Sequence, residues 1–88
     1  MDCTVRIPSP LRSYTNGAAS TAANGSSIAE VLADLDRRFP GMRFRMIDEQ
    51  DRIRQHIRLY VNTRAATRLA EPVRAGDEVH VICALTGG

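Results

Sequence analysis

The chain has 88 residues, 43% of them hydrophobic and 25% charged, with twelve basic and ten acidic side chains and a formal net charge of +2. That length holds one small domain, without separate substrate and cofactor lobes, and the composition is that of a globular protein rather than a disordered or fibrous one. The charge is too balanced for a dedicated nucleic-acid surface, and no apolar run approaches the ~20 residues that cross a bilayer. The N-terminus also lacks the basic region and apolar core of a secretion signal, so the chain is expected to be cytoplasmic, with neither nucleic acid nor membrane as a partner.

Cys3-Thr4-Val5-Arg6-Ile7 alternates with a period of two, which predicts a half-buried strand with Cys3, Val5 and Ile7 inward, ended by Pro8-Ser9-Pro10. Asn16-Gly17 suits the positive φ angles of a tight turn, and a second strand is expected around 19–23 to pair with the first. Ser27-x-x-Glu30 has the form of a capping box. It opens a helix whose Ile28, Val31, Leu32, Leu35 and Phe39 share one face, leaving Glu30, Asp34, Asp36 and Arg37 outside the stripe, and Pro40-Gly41 ends it.

Residues 42–47 suit one more helical turn, and 48–51 read as a solvated acidic loop without the ligand pattern of a calcium site. Period-two alternation from Ile53 to Val61 predicts a central strand, with Ile57, Leu59 and Val61 inward and His56, Arg58 and Tyr60 outward. A turn at 62–64 and a polar connection through Leu69, Pro72 and Val73, with room for a short extra strand, lead to the Ala75-Gly76-Asp77 turn. The last strand is expected from Glu78 to Leu85, with Val79, Val81 and Cys83 inward and His80, Ile82 and Ala84 outward. Together these elements predict an α+β fold, a sheet with one main helix across one face. Ile28, Leu32, Leu35, Val5, Leu59 and Val81 are expected in its core.

No catalytic set is visible. His56 and His80 have no companions at metal-binding spacing, and the two cysteines, Cys3 and Cys83, lie far apart inside apolar runs and read as reduced thiols. All twelve basic residues are arginine; the absence of lysine excludes a Schiff-base lysine and any linkage of copies through lysine side chains. Gly25 alone is no phosphate-binding loop. The unusual feature is Gly87-Gly88 at the last two positions, which at an average glycine usage of ~7% arises by chance in about one chain in two hundred. Residues without Cβ atoms can enter a narrow slot and take backbone angles closed to other residues, so such a segment can deliver a carboxylate into another protein's active site.

The opening strand, the capped helix, the strand ending Tyr60-Val61-Asn62, the Gly76-Asp77-Glu78-Val79 turn and the terminal Gly87-Gly88 together resemble the ubiquitin-like β-grasp sulfur carriers of the MoaD/ThiS family. Ile7-Pro8-x-x-Leu11-Arg12-x-x-Thr15-x-Gly17 and Ile57-x-Leu59-Tyr60-Val61-Asn62 are most similar to the CysO-type carriers of cysteine biosynthesis. The resemblance implies a single β-grasp domain over 1–88 with a mixed four- to five-stranded sheet and a flexible tail at 84–88. It implies a protein co-substrate rather than an enzyme. A partner would use ATP to adenylate the Gly88 carboxylate, and a sulfur donor would convert it to a thiocarboxylate.

Leu85, Thr86, Gly87 and Gly88 would enter the partner's active site, and Arg6, Tyr60, His80 and Ile82, facing outward beside the tail, would form the docking surface. No cofactor or metal is expected on the chain itself, which would be monomeric when free. Implied partners are the adenylating enzyme and a sulfur acceptor such as a pyridoxal-phosphate cysteine synthase or a thiosugar synthase. A zinc metalloprotease cleaving at the terminus belongs to the same expectation. The alternative is a β-grasp adaptor that binds through its sheet without transferring anything.

Overall fold

The alternation at the start of the chain becomes strand β1 (Asp2–Arg6), whose Cys3 and Val5 are buried while Asp2 and Arg6 face solvent. The computed structural model describes residues 2–84. Among them follow β2 (Ser20–Asn24), α1 (Ile28–Arg38), α2 (Met42–Met46), β3 (Ile57–Val61), β4 (Arg64–Ala66) and β5 (Glu78–Cys83). The strands form one sheet in the order β2-β1-β5-β3-β4. β1 and β5 run parallel at its centre, with Val5 opposite Val79 and Arg6 opposite His80, and the other pairings are antiparallel. A mixed sheet with parallel first and last strands and α1 on one face is the expected ubiquitin-like β-grasp.

α1 begins where Ser27 accepts the Glu30 backbone N–H at 3.2 Å. The capping box is shifted by one residue: the Glu30 carboxylate reaches back to the N–H and hydroxyl of Ser26, not to Ser27. Gly25 is required by this approach, because a Cβ there would lie 2.7 Å from the Val31 nitrogen. Ile28, Val31, Leu32 and Leu35 are wholly buried against Val5, Leu59, Val61, Val79 and Val81.

Several elements differ from the sequence reading, each for a local reason. Residues 9–15 form a 3-10 helix ended by Asn16 and Gly17, both at positive φ, so the Asn-Gly pair caps a helix before β2. The central strand starts at Ile57, not Ile53. Asp48 accepts the backbone N–H groups of Gln50 and Arg52, and Asp51 takes φ 61°, folding a small turn in which Ile53 pairs with Ile47. The connection through 69–73 is a plug: Ile28 and Ala29 donate to the carbonyls of Glu71 and Leu69, Val73 donates to Ser26, and Val73 is buried. α2 adds fully buried Met42, Met46 and Ile47 to the core. The last strand ends at Cys83, which is half-buried; Leu85 lies outside the described residues.

Asp34, placed by the helical periodicity outside the apolar stripe, is buried. Its carboxylate accepts the Asn24 N–H at 3.0 Å and pairs with Arg37 and Arg38, while Arg38 also donates to the Ala22 carbonyl at 2.6 Å. The flank of α1 beyond the stripe faces β2, and this cluster joins the two. Asn62, in the left-handed region at φ 56°, has the same joining role at the other side of the sheet. It donates from its backbone to Glu78 and from Nδ2 to Asp77, and its Oδ1 accepts the Glu78 N–H.

Two outcomes follow from this packing. Truncating Leu32 or Leu59 to Ala lowers stability by about 2–5 kcal/mol, and in a domain of this size each kcal/mol lowers Tm by ~4–8 °C. Calorimetric melting of the two variants measures it. The second concerns Asp34, whose pKa is held below its ordinary 3.8 chiefly by the Asn24 N–H and further by Arg38 and Arg37, against the opposing effect of burial. A depressed carboxylate contributes stability that is present above its ordinary value and lost as pH falls toward the lower folded value. Hydrogen bonds lower Glu30, Asp48 and Asp77 as well, so the difference between wild type and Asp34→Asn isolates this group. That difference in Tm is largest above pH 3.8 and shrinks on acidification below it.

Candidate functional site

On the face of the sheet away from α1, the register sets side chains in rows. Arg6 on β1, His80 on β5 and Tyr60 on β3 are consecutive cross-strand partners, and Ile82, two residues beyond His80 and on the same face, lies opposite Arg58. The four residues expected to dock a partner are therefore brought together on three adjacent strands.

Glu78, which the sequence reading did not single out, joins them. Its Oε2 lies 3.2 Å from an Arg6 guanidinium nitrogen and its Oε1 lies 3.2 Å from His80 Nε2. An exposed pair of this kind contributes only ~0–1 kcal/mol to stability, so its effect is to orient Arg6 and His80. The alternation that put His80 and Ile82 outward also puts Glu78 there, and that was the available signal. Tyr60 is half-buried and, with Arg58, borders an open groove of about 320 Å³ along β3 and β4, lined also by Ala65 and Thr67.

β5 leads this face toward the C-terminal segment. Ala84, the last described residue, is tied to the sheet by its N–H, which donates to the His56 carbonyl at 2.7 Å, so the root of the C-terminal segment lies between the end of β5 and the start of β3. Leu85, Thr86, Gly87 and Gly88, expected to enter a partner, lie outside the described residues. His56, exposed at this exit, shares a cleft with Phe44, Arg45 and Arg54.

Burial raises the thiol pKa of both Cys3 and Cys83 above the ordinary 9.0, and both are free. Among the described residues no three His, Cys, Asp or Glu side chains stand together as a metal site, and no helix is long and apolar enough to cross a membrane. The arrangement offers a polar, partly apolar face on three strands, with Ala84 bound to the sheet at one end of β5.

That arrangement has close counterparts. The model of the ThiS family matches residues 5–88, and the chain belongs to this family. It is CysO-like within it. The sulfur carrier protein CysO of Mycobacterium tuberculosis (strain H37Rv) is 32% identical over 93 residues, all of both chains, and that of Mycobacterium bovis matches equally. The crystal structure of Mycobacterium tuberculosis CysO superposes with a TM-score of 0.89 at 30% identity, covering 94% of this chain and 99% of that one. CysO of Amycolatopsis orientalis, solved in a complex with BexX, gives 0.90 at 31% identity over 98% and 99%. Small archaeal modifier protein 1 of Haloferax volcanii shares the fold at 20% identity, with a TM-score of 0.81 over 96% and 98%.

Burial of the thiols sets an order of reactivity that peptide mapping after alkylation reads directly. At neutral pH in the native protein, iodoacetamide labels half-buried Cys83 before buried Cys3, and both more slowly than after unfolding, because the thiolate is the attacking species.

Proposed function

We propose that this chain is a sulfur carrier protein that works through its Gly88 carboxylate, as a co-substrate of enzymes and not as an enzyme. The observation that carries this reading is the match to CysO over the whole of both chains, with the ThiS family match reaching residue 88. A carboxylate is a poor acyl donor, so activation comes first. A Gly88 oxygen attacks the α-phosphorus of ATP on an adenylating enzyme, a P–O bond forms and pyrophosphate leaves. A donor at the oxidation level of sulfide then attacks the acyl carbon. The bond to AMP breaks, AMP carries away the electron pair, and a thiocarboxylate remains, with no net oxidation or reduction.

This chemistry asks nothing catalytic of the carrier's side chains. Glycine at positions 87 and 88 keeps the segment slim enough for a narrow slot. Arg6, Tyr60, His80 and Ile82, with Glu78 orienting the first and third, form the surface that the adenylating partner docks on. An aliphatic side chain and an aromatic beside arginine suit an interface core and rim. That one CysO is solved with a protein partner, BexX, supports association through such a surface. Downstream, the thiocarboxylate passes its sulfur to an acceptor enzyme, such as a pyridoxal-phosphate cysteine synthase or a thiosugar synthase. A zinc metalloprotease releases the product where the sulfur goes into cysteine.

Intact-protein mass spectrometry after incubation with ATP, a sulfide source and the adenylating enzyme tests the proposal. Wild type exchanges one oxygen for sulfur on its C-terminal peptide. Deleting Gly88, extending it by alanine, or Gly87→Val leaves Tm unchanged and abolishes the exchange. Ile82→Asp folds normally and binds the enzyme about tenfold or more weakly. Absence of sulfur from wild type, together with full biological activity of the extended variant, would instead make the protein an adaptor.

A further inference from the structure

Beyond the Arg6–His80–Tyr60 row, the strongest feature of the surface is on α2 and the chain leading into β3. The large apolar side chains exposed among the described residues are Phe44, at 54%, and Ile82, at 46%. Single exposed apolar side chains are ordinary, but each of these is linked to Ala84. Ile82 lies two residues before Ala84, and Phe44 shares a cleft with His56, whose carbonyl holds the Ala84 N–H. Phe44 is also fixed in place. The Arg54 guanidinium lies over its ring, 4.5 Å from the centroid, and Arg54 Nε donates to the Phe44 carbonyl at 2.7 Å.

The charge around this ledge is predominantly positive. Arg45 makes no ion pair or hydrogen bond among the described residues, and Arg58 donates only to the backbone carbonyls of Gln55 and Ile57. Of the acids in the neighbouring turn, Asp51 pairs with Arg43 and Asp48 with Arg52, Asp48 also acting on Arg54 at longer range, and Glu49 does not line the cleft. Glu78 is taken by Arg6 and His80.

A length limit ties the ledge to function. Four residues beyond Ala84 reach at most about 14 Å, so an enzyme that holds the Gly88 carboxylate in its active site must bring the rim of that site against the exit of the chain. We propose that Phe44, Arg45, Arg54 and His56 form a second docking ledge at the root of the C-terminal segment, and that its occupant is an acidic surface with an apolar socket on the rim of the adenylating enzyme. This rests on the carrier reading above. Aromatic and arginine side chains carry most of the energy in interfaces, and facing charges of opposite sign steer the approach. Nucleic acid is the poorer fit, since the chain's net charge is only +2 and a duplex demands a longer run of cations.

The test uses the full chain and an enzyme of the same organism that catalyses ATP–pyrophosphate exchange in its presence. Affinity without ATP and exchange with ATP are measured separately. Phe44→Ala and Arg45→Glu are expected to keep Tm and to raise Kd by about tenfold or more, while exchange at saturating carrier stays near wild type. Arg45→Lys restores most of the affinity. Wild-type binding weakens with salt, and the dependence is shallower in Arg45→Glu. Arg74→Glu, before the start of β5 at the other end of the strand, binds as wild type.

If Phe44→Ala lowers Tm, Arg45→Glu decides alone, because its side chain has no bonded partner to lose among the described residues. Wild-type affinity in both variants overturns the ledge, as does an equal loss in Arg74→Glu or a short DNA duplex that binds through Arg45 in place of the enzyme. The two proposals fail separately. Wild-type affinity in the Phe44 and Arg45 variants, with sulfur still reaching Gly88, removes the ledge and keeps the carrier. Binding that depends on them without any sulfur reaching Gly88 keeps the ledge and removes the carrier.

Discussion

The parallel pairing of β1 with β5 at the centre of the sheet is the constraint on which the other features depend. Parallel neighbours cannot be joined by a hairpin, so the chain between them must cross over one face. α1 makes that crossing. The register of Val5 with Val79 buries both under the helix and, one residue on, sets Arg6 beside His80 on the opposite face. Because β3 runs antiparallel to β5, its start lies where β5 ends, and His56 therefore meets Ala84. A slip of one residue in the central pair would turn every inward side chain outward and dismantle the core and the Arg6–His80–Tyr60 row together.

The two faces of the sheet divide the work. Val5, Leu59, Val61, Val79 and Val81 are committed to the core, and a domain this small has little apolar surface to spare for anything else. The opposite face is free of that demand and holds Arg6, Glu78, His80, Tyr60 and Ile82. α2 shows the same division within five residues: Met42 and Met46, one turn apart, are fully buried, while Phe44 between them points to solvent beside Arg54. Core and interface are interleaved along the chain and separated in space.

Several titratable side chains have their pKa values displaced away from neutrality by their surroundings. The thiols are held protonated by burial, and the carboxylates are held ionised by backbone N–H groups and arginines at Asp34, Asp48 and Asp77.

The sequence by itself determined the elements whose cause is local. Period-two alternation located β1, β3 and β5, the Ser27 cap and the Ile28–Leu35 spacing located α1, and the same alternation sorted Arg6, Tyr60, His80 and Ile82 onto one side of their strands. The family resemblance, carried by the order of these motifs and by Gly87-Gly88, gave the carrier reading that the periodicities alone do not contain. Only the tertiary structure decided the rest. Asp34 looked solvated on its helix and is buried because the flank of α1 lies against β2; Ile53 looked like strand and is drawn to Ile47 by the Asp48 turn. The polar connection around Val73 became a plug because the start of α1 needed partners for its backbone N–H groups. The approach of Phe44 to the exit of the chain brings together residues forty positions apart, and no periodicity within a single element encodes a contact between elements.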